Sequence, residues 1–395
     1  MEEILRRYAR LIIKTQLKLE RGDQLSINTE GSYMDFARLL AKIACEATLQ
    51  TVNIVETNHG KVVQVIQMDP IEPEIFRPEV KGFVMCHIFS LDETPFQHDG
   101  KPKALANEVA LLGSFGLLSE PVFLDRRIAV PWANIPLPGP NWASQLLDAE
   151  VTNLEMWNLF AMIFRLEDDN ASSFWESQAN LLHFRKQKLN KLGPVELNLT
   201  GSGWSLKTTK APNTLWAGGM NTVSSGRKFI PALPMQNVFA SLDCTLSNGT
   251  IASSRSFLLF GQTVEDATFT IEGGKVTSFS ATKGKEALEA FFAIDEGARQ
   301  VAEISLADND TLESHYLEKG VHVHFNRAMT SNIAFGGFTL ASLTDQDSDE
   351  AIDDSHLSRS LVRLEIPVGS NSLSVTALNG EGDMTTLMEE GVFID

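Results

Sequence analysis

The spacing of apolar residues changes period near residue 193, and this change limits the possible folds more than any other feature of the sequence. Before it, short apolar runs alternate with long helical stretches: "QLSINT", "SYMDFARLLAKIACEAT" and "TVNIVE" read as strand, helix and strand. A strand that returns through a crossover helix implies a parallel sheet. "KGFVMCHIFSL" reads as a further buried strand, and residues 1–19 as an opening helix with Ile4, Tyr8, Leu11, Ile12 and Thr15 at helical spacing. Past Pro131, "PWANIPLPGPNWASQLLD" reads as a proline- and tryptophan-rich loop leading to the amphipathic helices "NLEMWNLFAMIFRL" and "SSFWESQANLLHFRKQKLNKL".

From about residue 193 the pattern becomes strands and turns, as in "VELNLTGSGWSLKTT", "SNGTIASSRSFLLF" and "EDATFTIEGGKVTSFSA". The last third is mixed. "GKEALEAFFAIDEGARQVAEISLA" reads as a helix broken at Asp-Glu-Gly and a second short helix running into Glu303, and "SLVRLEIPVGS" as a strand. A chain of 395 residues exceeds one ordinary core. The expectation is an N-terminal α/β domain with a mostly parallel sheet and a helical extension over 1–192, and a C-terminal α+β domain over 193–395.

A formal net charge of −18 argues against nucleic acid or an anionic membrane surface as partner. The opening segment mixes charges into its apolar positions, unlike a secretory signal, and no apolar run is long enough to span a bilayer. Cys45, Cys86 and Cys244 are odd in number and far apart, so they offer no disulfide framework. These features point to a cytoplasmic protein.

Chemical motifs are sparse. There is no G-x-S-x-G elbow, phosphate loop or dinucleotide fingerprint. Cys86 and His87 are neighbours on a strand and point to opposite faces, which rules out a thiolate–imidazolium couple. The acidic run "TDQDSDEAIDDS" lacks the central glycine and closing glutamate of a calcium loop and reads as a solvated loop. His322 and His324 in "VHVHF" alternate on one strand face and could share an ion, but they supply only two of the three or four ligands a metal needs.

The stretch "NGTIASSRSFLLFGQTVEDATFTIEGGKVTSFSATKGKEALEAFFAIDEGARQVAEISL" carries a family resemblance. With "LKLERGDQLSINT", "WAGGMNTVSSGRKFIPALPMQNVF", "SNIAFGG" and "SLVRLEIPVGS" in order, it resembles the aminopeptidase T and S family, dinuclear metallo-aminopeptidases that remove N-terminal amino acids from peptides. The resemblance implies an N-terminal α/β domain, a C-terminal domain around a β-barrel-like sheet with flanking helices, and a homodimer. It also implies two divalent metals, zinc, cobalt or manganese, held by glutamates, histidines and an aspartate beside a tyrosine. Such a pair activates a bridging water and polarises the scissile carbonyl.

Carried over position by position, the two glutamates fall at Asn237 and Glu303, the first histidine at Asn332 and the tyrosine at Thr339. The H-x-D pair falls at Arg363 and Glu365. Most metal ligands are thus replaced, and one guanidinium is expected to face two carboxylates in place of the metals. Three readings follow. The first is a metal-free scaffold or binding protein on a peptidase fold, taking a small charged or peptide ligand at Asn332, Arg363 and Glu365, with no cofactor. The second is an active metallo-aminopeptidase with ligands relocated to His322, His324 and Glu303. The third is a metal-free enzyme with Glu303 or Glu365 as catalytic base and Arg363 as electrophile.

Overall fold

Strand β1 (Asp23–Glu30) organises the first sheet, because it is paired in parallel on both sides, with β2 (Val52–Asn58) and with β4 (Gly82–Ser90). The computed structural model describes residues 1–58, 61–70, 78–92, 130–147, 149–167, 170–193, 195–260, 262–309, 311, 325, 329–339, 342–343, 356–360 and 362–395. The sequence places a single cut after residue 192. By contact, the described residues divide into one unit of 1–92, 130–180 and 219–235 and another of 181–218 and 236–395.

In the first unit the sheet order is β3-β2-β1-β4-β5, with β3 (Lys61–Met68) antiparallel at one edge and β5 (Trp132–Leu137) parallel at the other. The helix Met34–Thr48 makes the crossover from β1 to β2 and buries Phe36, Leu40, Ala41 and Ala44 on one face. Its apolar residues recur every three to four positions, as a helix on a sheet requires. Strand β5 corrects the expected loop after Pro131. Its proline, Pro136, concealed it from a reading of the sequence, yet proline is tolerated on an edge strand, where one side of the ladder needs no donor. Tyr8 joins this unit's layers: its ring packs on Phe36, Phe160 and Phe164, and its hydroxyl donates to the Pro136 carbonyl at 2.9 Å. The opening helix is shorter than expected. It is α-helical over Glu2–Leu11 and widens to a π-turn over Ile12–Gln16, and the chain leaves it at Lys18, where φ is +47°.

The second unit is built, among the described residues, from two large antiparallel sheets and a two-stranded ribbon of Phe257–Leu259 and Gln262–Val264. Eight described strands run in the order Lys275–Ser280, Thr268–Glu272, Asn248–Ala252, Trp204–Thr209, Val195–Gly201, Ser374–Asn379, Met384–Glu389 and Val392–Phe393. "GSGWS" is the tight turn of a hairpin, with Gly201 paired to Trp204 and Gly203 at φ +77°. Five strands form the other sheet, in the order Arg363–Pro367, Asn332–Gly336, Val301–Ala307, Asn237–Ser241 and Ala217–Gly218. Its apolar face carries Val238, Ile304, Leu306, Ile333, Phe335 and Ile366, all buried. Phe335 lies 5.3 Å from Phe269 of the larger sheet and 5.9 Å from Phe292 of the helix Lys285–Phe292. The fold class is therefore α/β followed by a mainly antiparallel unit with flanking helices. No helix among the described residues is long and apolar enough to cross a membrane.

A buried cation fixes the end of the second unit. Arg185, its side chain 5% exposed, donates to Asp308 at 2.7 Å and to the Asp395 carboxylate at 2.6 Å, and stacks on Phe393. The hydrogen bond from Arg185 holds the Asp395 carboxyl below its ordinary value. A depressed carboxylate pKa stabilises the fold above the unfolded pKa of about 3.9 and ceases to do so as pH falls through the folded value. Urea midpoints of the protein and of Asp395→Asn should therefore differ by a constant amount from pH 7 to about pH 5, and the gap should close toward pH 3. A gap that persists into acid would show that the pair contributes little.

Candidate functional site

Cross-strand register assembles the candidate residues on the other face of the five-stranded sheet. Ser241, Glu303, Ala334 and Glu365 stand directly opposite one another on four neighbouring strands, so their side chains share a face. The adjoining row on that face contains Ser305, Asn332 and Pro367, and Arg363 lies opposite Gly336. Asn237 is paired with Ala307, at the far end of the same face. The four strands thus carry apolar side chains on one side and a buried polar row on the other. Glu303 is 1% exposed and Glu365 6%.

Glu303 lies in the middle of the strand Val301–Ala307, which corrects the expected short helix; only Glu296–Arg299 makes a turn of 3-10 helix before it. All seven residues of this strand are buried. The polar–apolar alternation of "VAEISLA" is blunted because both faces are covered. A bulge between Val301 and Glu303 shifts the register at the glutamate. Gly336, at φ +99°, is required here, since an added Cβ would sit 2.0 Å from the Val362 carbonyl oxygen. The glycine lets the Arg363 strand approach its neighbour.

Arg363 lies between the two carboxylates. Its Nη2 donates to Glu303 Oε1 at 2.6 Å, its Nε to Glu365 Oε1 at 2.6 Å, and its Nη1 to the Gly337 carbonyl at 2.8 Å. The second oxygen of Glu303 accepts from Thr339 Oγ1 at 2.6 Å. Burial alone would weaken the guanidinium's hold on its proton, but the charges of Glu303 and Glu365 outweigh it and raise the Arg363 pKa above its ordinary value. The cation is permanent, and all three of its nitrogens donate.

Asn237 and Asn332 lie on the same sheet face as this cluster. Asn237 Nδ2 donates to Ser305 Oγ at 2.7 Å, and Asn332 Nδ2 to the Thr330 carbonyl at 2.7 Å. Ser305 and the Gly337 carbonyl were not singled out from the sequence. Ser305 follows from period-two alternation with Glu303 once the segment is read as a strand, whereas no sequence signal marks a backbone carbonyl. His322 and His324 lie outside the described residues, as does the acidic run at 344–355. His356 pairs with Asp243 at 2.8 Å. Cys86 is buried, and burial pushes its thiol far up, which suits a core residue better than a nucleophile. Among the described residues, no three His, Cys, Asp or Glu side chains converge as metal ligands would.

Comparison with known proteins bears on the whole chain. Residues 1–81 and 121–393 match the thermophilic metalloprotease family, M29. Aminopeptidase T of Thermus aquaticus is 26% identical over 99% of this chain and 98% of its own length. Aminopeptidase 2 of Geobacillus stearothermophilus is 24% identical, covering 99% and 97%. The solved structure of wild-type AmpT from Thermus thermophilus superposes with a TM-score of 0.78 at 22% identity over the full length of both chains, which establishes the shared fold.

Removing one partner of a buried ion cluster strands the others. Arg363→Met should cost about 3–5 kcal/mol in urea unfolding at pH 7. The triple variant Arg363→Met, Glu303→Gln, Glu365→Gln should recover much of that loss, because no charge is then buried alone. Equal destabilisation of the single and triple variants would contradict this account of the cluster.

Proposed function

The chain belongs to the thermophilic metalloprotease family M29, and we propose that within it this protein is an aminopeptidase-like fold whose dinuclear metal site has been replaced by an internal ion cluster. Its relatives are aminopeptidases, which supports an aminopeptidase-like ancestry and chemistry for the fold. The observation that carries the finer reading is the Arg363 guanidinium held 2.6 Å from both Glu303 and Glu365.

Two divalent ions need several ligands with lone pairs directed into one cavity. The positions that family resemblance assigns to ligands contain two amides, a guanidinium and two carboxylates already engaged by that guanidinium. This donor set does not fit two divalent ions. The same contacts count against Glu303 as a general base, since one of its oxygens accepts from a cation and the other from the Thr339 hydroxyl.

On this reading the protein is a scaffold or binding protein without metal-dependent peptidase activity. The small charged or peptide ligand expected at Asn332, Arg363 and Glu365 would have to displace contacts among side chains 8% exposed or less, so on this reading the cluster itself is structural. Three buried free cysteines suit a reducing, cytoplasmic compartment, and family resemblance implies a homodimer that sedimentation would reveal.

Elemental analysis of protein purified without chelator, with an aminoacyl-substrate panel assayed in zinc, cobalt and manganese, tests the reading. The expected result is no stoichiometric transition metal and no turnover with any of the three ions. About two equivalents of metal with metal-dependent turnover would overturn it. If that metal were then lost on changing His322 and His324 to Ala, the relocated-ligand reading would replace it.

A further inference from the structure

A cavity of about 620 Å³ in the first unit has a charge balance opposite to that of the whole chain. It opens at the amino ends of β1 and β4, beside Asp23 and Gly82. Ligands of open parallel sheets usually gather beyond the carboxyl ends, so fold type alone does not account for this cavity. Its cations are Lys18, Lys81, Arg227 and Lys228, and its acids are Glu20 and Asp23.

Asp23 is already neutralised. Its carboxylate accepts from Arg227 Nη1 at 2.9 Å, lies 2.7 Å from Arg227 Nη2, and takes the Glu20 amide at 2.6 Å. Arg227 Nη2 also donates to the carbonyls of Leu17 and Lys18. Three lysines then remain against the single carboxylate of Glu20, in a chain whose formal net charge is −18. Among the described residues, neither Lys81 nor Lys228 has a carboxylate within ion-pairing distance. Arg227 is held by Asp23 and two carbonyls, so the cations left open to the cavity are the lysines.

The same cavity has an apolar wall. Phe83 is 60% exposed and stands with Val130 and Pro131 along the lining. A large exposed aromatic beside a cluster of cations suits a ligand with a charged head and an apolar body. We propose that this cavity binds a small organic anion, its phosphate or carboxylate head on Lys81 and Lys228, its apolar body on Phe83, Val130 and Pro131. The site belongs to the first unit and is independent of the Arg363 cluster in the second.

Isothermal titration of the full-length protein with phenyl phosphate, phenylacetate and inorganic phosphate, at ionic strength fixed with sodium chloride, tests this. Saturable binding of one phenyl probe, tighter than that of inorganic phosphate, is expected; which phenyl probe binds distinguishes a phosphate head from a carboxylate. The variant Lys81→Ala, Lys228→Ala should weaken that binding about tenfold or more, because charge-assisted contacts are lost. Phe83→Ser should erase the advantage over inorganic phosphate. Both substitutions fall on exposed side chains, and circular dichroism would confirm that the fold is kept. No saturable binding by any probe, or binding indifferent to the two lysines, would overturn the proposal.

Discussion

Two carboxylates on neighbouring strands of a buried sheet face require a cation, and Arg363 is the cation that satisfies them. Burying two carboxylates without a positive charge in hydrogen-bonding distance is costly. A guanidinium suits this place because its planar fork donates in three directions and keeps its charge throughout the accessible pH range. Here the three directions lead to Glu303, Glu365 and the Gly337 carbonyl. The surrounding architecture supports that arrangement. Gly336 admits the Arg363 strand at close range, the bulge before Glu303 sets its register, and Thr339 takes up the remaining glutamate oxygen.

The two units solve their charge problems differently. In the second, charge is drawn inward and cancelled: Arg363 with two glutamates, and Arg185 with Asp308 and Asp395. In the first, Arg227 cancels Asp23 while three lysines stay open to a cavity. A cancelled cluster contributes order and offers little to a ligand, whereas an uncancelled one costs repulsion unless something fills it. By that contrast Lys81 and Lys228 are open to a ligand and the Arg363 cluster is structural.

Much of the fold was legible because period and propensity agreed. The parallel β1–helix–β2 unit and the later hairpins follow from switches between helical and two-residue spacing. Two elements were misread where that agreement failed. Strand β5 has a proline within it, and the strand of Glu303 is buried on both faces, so its alternation is faint. The pairing of Arg363 with its carboxylates could be anticipated because the family resemblance places all three at one site. Its third contact, to a backbone carbonyl, could not, because a carbonyl leaves no mark in a sequence. The lysines of the first unit's cavity come from three separate stretches of chain, and only folding places them together.

The central claim is that the cation between Glu303 and Glu365 is Arg363 and not a metal. A ligand that binds only the folded state raises its melting temperature with concentration. Thermal unfolding should therefore be followed in chelator and across rising concentrations of cobalt and zinc. The account predicts one melting temperature throughout. A midpoint that climbs steadily with either ion and falls again on chelation would contradict it.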